Sequence, residues 1–203
     1  MLLLETQYFP SIAWCSAMWH EKIVAIDATE HYQKGGLRNR CYIAGPNGVQ
    51  RLSIPLEKGK HQQTPIREVR ISYEIPWQRQ HWRSLQAAYG NAPYFEHYAD
   101  DICAFFERKW VFLFDLNTEI QVLVLKKKLG WAGEFVFQNE FVSPNSEKRY
   151  KAMMYENRLA HRPYPQVFQD RHRFQANLSV LDLLFCCGKT GMERVSATGF
   201  WPP

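Results

Sequence analysis

Several chemistries are missing from this sequence. No Cys-x-x-Cys pair occurs, and the five cysteines (Cys15, Cys41, Cys103, Cys186 and Cys187) are odd in number and scattered. That usage fits free, buried thiols in a reducing compartment, and adjacent Cys186 and Cys187 have the wrong spacing for structural zinc. His20, His61, His97, His161 and His172 show no paired spacing for a metal ion, and His161 and His172 have only Asp170 nearby. No metal site is expected, and no cofactor is indicated. A serine-hydrolase Gly-x-Ser-x-Gly element is absent. Gly188-Lys189-Thr190 resembles the end of a phosphate-binding P-loop, but Leu183 stands where that motif needs glycine, and the segment follows a helix instead of opening one.

Long apolar runs are also lacking. No stretch approaches the ~20 residues that span a bilayer. Leu2, Leu3 and Leu4 have no basic residue before them and meet Glu5 at once, so they do not read as a signal peptide and the expected location is the cytosol. There is no repeat, no low-complexity tract and no Gly/Ser linker. A chain of 203 residues is then expected to form one domain over 1–203 around one core.

What the sequence has in quantity is aromatic side chains, 15% of all residues. They carry large buried areas, so a sizeable core is available. Leu2 to Phe9 reads as a strand ended by Pro10, followed by a helix from Ser11 to His20 with Ser11 as N-cap. Lys22 to Asp27 is a second strand. Arg40 to Ala44 and Val49 to Pro55 form a hairpin around Gly45-Pro46-Asn47-Gly48. Arg67 to Ser72 alternates as a half-exposed strand does. Trp77, Trp82, Leu85 and Tyr89 mark a helix from Pro76 to Tyr89. Phe95, Tyr98, Ile102, Phe105 and Phe106 mark the inward face of a second, from about Pro93 to Arg108. A further helix fits Asn117 to Leu129, a strand fits Phe135 to Val142, and 143–175 reads as loop. Asn177 caps a last helix, Leu178 to Cys187. The fold class is mixed α/β with α+β character: a mixed sheet with a β-hairpin, packed by aromatic-rich helices.

The net charge of +5 favours anionic partners. Lys126, Lys127 and Lys128 end a helix, where they complement its dipole. The basic residues are otherwise scattered, so nucleic acid is the weakest partner reading, and a small anionic metabolite the stronger one. The densest candidate is His31-Tyr32-Gln33-Lys34-Gly35-Gly36-Leu37-Arg38-Asn39-Arg40. Gly35 and Gly36 permit close backbone approach, and Lys34, Arg38 and Arg40 add charge for a phosphate, pyrophosphate or carboxylate. A solvated basic loop is the plainer alternative. Arg38 and Arg40 would share a face if both lie in the strand, with Asn39 opposite. Gln7 ends the first strand, where α/β folds place ligands, and would hydrogen-bond at a pocket mouth. His31 and His81 are the candidate proton carriers, although a histidine beside helix aromatics, as His81 is, more often serves structure.

Together these segments resemble the WbqC-like family of bacterial proteins. The resemblance rests on Gln7-Tyr8-Phe9-Pro10, Tyr32-Gln33-Lys34, Asn39-Arg40, Leu52-Ser53-Ile54-Pro55-Leu56 and Trp77-Gln78-Arg79-Gln80-His81. It continues in Tyr89-Gly90-Asn91-Ala92-Pro93-Tyr94-Phe95, Asn117, Leu129-Gly130, Phe174 and Asn177 to Phe185. The resemblance implies a bacterial cytosolic protein. Some relatives are associated with O-antigen and other surface-polysaccharide pathways, and members are described as transferases that place a small acyl or aminoacyl group on an amino sugar. On that expectation, Lys34, Arg38 and Arg40 hold the anionic part of a phosphorylated or nucleotide-activated sugar. Gly35 and Gly36 contact it through backbone, Gln7 and Asn39 orient the acceptor, and His31 or His81 moves the proton. A non-catalytic ligand- or protein-binding module is the rival. This chain departs from longer members in having Tyr8 where they often carry proline, and the basic stretch Arg158 to Arg173 in place of a glycine-containing segment.

Overall fold

A computed structural model describes residues 2–57, 64–140 and 163–196. Its frame is a parallel sheet of three strands in the order β1 (Leu2–Leu4), β2 (Ile23–Asp27), β5 (Glu134–Gln138). Leu3 pairs with Ala25, and Ile26 with Phe137. The central strand is Ile-Val-Ala-Ile-Asp and is buried from Val24 onward, as a strand covered on both faces should be. Helix α1 (Ile12–Met18) forms the crossover between β1 and β2, and Ser11 caps it by accepting from the Trp14 N–H.

Strands β3 (Arg40–Gly45) and β4 (Gly48–Ser53) make the antiparallel hairpin. The positive φ of its turn falls on Gly48, at +105°, with Asn47 outside the left-handed region. Helices α2 (Trp77–Tyr89) and α3 (Phe95–Glu107) follow. Trp77, His81, Leu85, Ala88 and Tyr89 on one face, and Phe95, Tyr98, Ile102, Phe105 and Phe106 on the other, are buried at helical spacing. Trp82 stacks on Phe95 with ring centroids 5.9 Å apart. Helix α4 (Leu113–Gln121) precedes β5, and α5 (Gln169–His172), α6 (Val180–Cys187) and α7 (Gly191–Ser196) close the described chain. The buried apolar residues form one contiguous cluster.

The mixed α/β class holds, with several differences in the elements. The first strand stops at Leu4, because the next residues direct their polar groups elsewhere. The Tyr8 N–H donates to the Leu37 carbonyl at 3.0 Å, and Gln121 Nε2 donates to the Gln7 carbonyl at 3.1 Å. Residues 67–72 form a short 3₁₀ turn (Ile66–Glu68) and two isolated bridges, Arg70 with Phe112 and Ile71 with Leu56, in place of a strand. The third long helix starts at Leu113, earlier than Asn117. From Val122 to Lys128 it widens into π-type turns, with the Leu129 N–H reaching back five residues to the Val124 carbonyl. Lys128 at its end pairs with Asp101 of α3. Asn177 does not cap α6, since Ser179 does. Asn177, at φ 55°, instead accepts from the Ala13 N–H at 2.9 Å and caps α1. Phe141, Val142 and the loop reading of 143–162 lie outside the described residues.

Candidate functional site

All three parallel strands end on the same side, so the segments leaving them gather there, where α/β sheets hold ligands. Asp27 ends β2 fully buried. Its Oδ1 accepts from the Thr29 N–H at 2.9 Å, the Glu30 N–H at 3.1 Å and the Thr29 hydroxyl at 2.8 Å. This turn swings Glu30 inward against Arg38. Arg38 Nε donates to Glu30 Oε1 at 3.0 Å, Nη2 donates to Glu30 Oε2, and the same Nη2 lies 2.8 Å from Glu5 Oε2. One buried guanidinium therefore sits between two carboxylates. Burial pushes the Glu30 carboxyl up to about 7, the nearby charges of Glu5 and Asp27 add to the rise, and Arg38 opposes it.

The sequence-chosen residues divide accordingly. Arg38 is buried and engaged, and it precedes β3, so only Arg40 lies in the strand. Gly36 makes room for that guanidinium: a Cβ there would lie 2.8 Å from Arg38 Nη1. Gly35, at φ +92°, faces open space and does need glycine for its backbone. Asn39 is buried. Its Oδ1 accepts from the Tyr32 hydroxyl at 2.9 Å, and its Nδ2 donates to the Ile54 carbonyl at 2.8 Å. Gln7 lies in the interior instead of at a pocket mouth. Its Oε1 accepts from the Ser11 N–H at 3.1 Å and its Nε2 donates to Glu5 Oε1 at 3.2 Å. His31 and Lys34 are exposed. Arg40 is half-buried, and its Nε is buried with no hydrogen-bond partner among the described residues.

His81 stands away from the loop, joined to this region through Tyr8. Its Nδ1 is 3.0 Å from the Tyr8 hydroxyl, and its ring packs against Trp77 at 5.2 Å. Burial lowers its pKa to about 4, against a hydrogen bond with the Ser53 backbone that works the other way. The ring is neutral near pH 7. Between Tyr8 and Pro10, Phe9 has φ 38°, a strained conformation for a bulky residue, held by its buried ring and by the Ser179 hydroxyl donating to its carbonyl at 2.9 Å.

The carboxylates Glu5, Asp27 and Glu30 carry no role in the sequence reading, and Asn117 enters it only as part of the resemblance; its Nδ2 donates to the Arg38 carbonyl at 2.8 Å. Asp27-Ala28-Thr29-Glu30 directly after an apolar strand was the available signal. A separate buried carboxylate, Asp182 of α6, accepts from the Tyr89 hydroxyl at 2.8 Å, the Tyr164 hydroxyl at 2.6 Å and Gln166 Nε2 at 2.9 Å. It ties the segment at 164–166 to the core. Among the described residues no group of three or more His, Cys, Asp or Glu is placed to hold a metal ion, and no helix is long and apolar enough to cross a membrane.

The WbqC-like protein family model matches residues 6–162, more than half of the chain. The chain belongs to that family. The matched stretch begins beside Gln7 and contains the whole 31–40 loop, whereas Phe174 and Asn177 to Phe185 lie beyond it. Neither a curated protein nor a solved structure gives a match. For this WbqC-like chain, the residues that meet at the strand ends are thus the first guide to chemistry.

Proposed function

We propose that this protein is a transferase that places a small acyl or aminoacyl group on a phosphorylated or nucleotide-activated amino sugar, in bacterial surface-polysaccharide synthesis. Family membership supports this reading, and the observation that carries it is Arg40. A guanidinium Nε that is buried and without a partner is costly unless a ligand supplies an acceptor. Arg40 adjoins Tyr32 and lies at the head of the hairpin, and Lys34 offers a second cation on the exposed loop. Together they would hold the anionic part of the substrate through charge-assisted hydrogen bonds. His31, exposed in the same loop, would accept the proton as the acceptor amine or hydroxyl attacks the donor's acyl carbon, and the bond from that carbon to the donor's carrier breaks, the carrier departing as leaving group. Gly35 offers backbone to the ligand. Arg38, Asn39, Gln7 and Gly36 would fix the loop's shape, and His81 would position Tyr8.

The test is binding and turnover with Arg40→Ala against a panel of sugar phosphates and nucleotide-sugars with acyl and aminoacyl donors. Loss of one charge-assisted contact should weaken binding about tenfold or more, with the melting temperature little changed. Unchanged affinity in a folded Arg40→Ala variant would sink the role of Arg40. Tight binding without product would make the protein a non-catalytic ligand-binding module.

A further inference from the structure

A cavity of about 560 Å³ opens beside the carboxyl end of β5, lined by α4 and the segment 108–112. It shares no residue with the 31–40 loop. On one wall the Arg67 guanidinium lies over the rings of Phe114 and Phe137, at 5.1 and 5.7 Å from their centroids, and donates to Asn139 Oδ1 at 3.1 Å. Arg67 is exposed and carries a planar guanidinium, and Phe137 beside it is 40% exposed. Both are platforms on which a nucleobase can stack. On the other wall Arg108 lies over Trp110 at 4.1 Å, and Lys109 lies over Tyr73 at 5.5 Å. Arg108 also pairs with Glu119 at 3.6 Å, but both groups are exposed, so that pair is weak and yields easily to a phosphate.

Two further observations separate this cavity from an ordinary surface groove. Thr118 lines it, and its Oγ1 is buried with no partner among the described residues. Asp115 and Glu119 line it too, and carboxylates accept from vicinal ribose hydroxyls. Three cations (Arg67, Arg108 and Lys109) stand against these two carboxylates. That balance suits one short phosphate group attached to a sugar and a ring, and the carboxylates would repel a polynucleotide backbone. We infer that this cavity binds a mononucleotide, with the base stacked on Phe137 and Arg67, the ribose at Asp115 and Glu119, and the phosphates on Arg108 and Lys109. The volume is in the range of small-ligand sites. The inference stands on this cavity alone and does not require the 31–40 loop to bind anything.

Calorimetric titration with ADP, GDP, CDP, UDP, uridine and inorganic pyrophosphate tests it. At least one diphosphate should bind about tenfold or more tightly than uridine and pyrophosphate. The Arg108→Ala/Lys109→Ala variant, changed only at exposed positions, should lose about tenfold in affinity with its melting temperature kept. Phe137→Ala should reduce the preference for the diphosphate over pyrophosphate, and in an Arg40→Ala background the diphosphate binding that depends on Arg108 and Lys109 should persist. No binding of any diphosphate at ~1 mM, equal binding of pyrophosphate, or full affinity in the Arg108→Ala/Lys109→Ala variant would overturn the site. So would tighter, steeply salt-dependent binding of a short RNA. Loss of diphosphate binding only in Arg40→Ala would overturn it as well, and would at the same time support the 31–40 loop as the anion site.

Discussion

The α2–α3 face and the carboxyl end of the parallel sheet are both buried, but different interactions hold them. The helical face is built from rings, Trp77, Trp82, Phe95 and Phe106 among them, whose stabilisation scales with area and needs no exact partner. At the sheet's end, Glu5, Glu30 and Arg38 are mutually dependent charges. Arg38 makes the two carboxylates tolerable there and they compensate its charge, while the carboxylates oppose one another. The first region tolerates substitution in proportion to volume lost, whereas the second fails when one member is removed and recovers when its partner goes too.

The largest expected effects break that comparison open. Trp77→Ala should cost about 3–5 kcal/mol through a cavity, and Arg38→Met about the same, through an uncompensated buried carboxylate. Only the second should be rescued: adding Glu30→Gln to Arg38→Met should restore much of the loss, measured by denaturant unfolding. The pH dependence sharpens this. The folded-state Glu30 carboxyl is raised to about 7, so its favourable contribution is present below the unfolded value of 4.5 and is lost as pH rises through 7. Without Arg38 nothing opposes the rise, so Arg38→Met should be weakest above pH 7 and regain stability on acidification. An Arg38→Met deficit that is flat with pH, and not relieved by Glu30→Gln, would mean that the guanidinium acts through packing alone.

His81 gives a smaller effect of opposite sign at the border of the two regions. Its folded pKa is lowered from 6.5 to about 4, so the stability it contributes is present above 6.5 and lost as pH falls through 4. The difference corresponds to about 3 kcal/mol. Unfolding free energies of wild type and His81→Gln, compared at pH 7 and pH 4, should converge by about that amount. Parallel profiles would place the charged ring in water. The smallest effect is at Asn177, where Asn177→Gly, which suits the φ of 55°, should cost about 1 kcal/mol through the lost bond to the Ala13 N–H of α1. Equal stability of that variant would show the cap to be dispensable.

Legibility followed the range of each interaction. The faces of α2 and α3 could be read because helical spacing lies within a few residues, and the hairpin because Asn47-Gly48 acts on its own turn. The helix around Asn117 is legible in the sequence, whereas its widening from Val122 to Lys128 has no local signature there. The basic loop was recognised as a cluster of cations, yet which cation was committed depended on Glu5, 33 residues before Arg38, and on Glu30, which the chain returns to it only after the Asp27 turn.

Local pattern thus determined the mixed α/β class, the two aromatic helix faces, the hairpin and the family, because propensity, period and motif order are properties of neighbouring residues. Tertiary structure alone decided the rest. It buried Gln7 and His81, turned Arg38 and Gly36 into a lock on the loop, left Arg40 Nε without a partner among the described residues, and brought Arg67 beside Phe114 and Phe137. The physical reason is that a charge takes its role from whatever stands within a few ångströms of it, and in a folded chain those neighbours come from distant stretches of sequence.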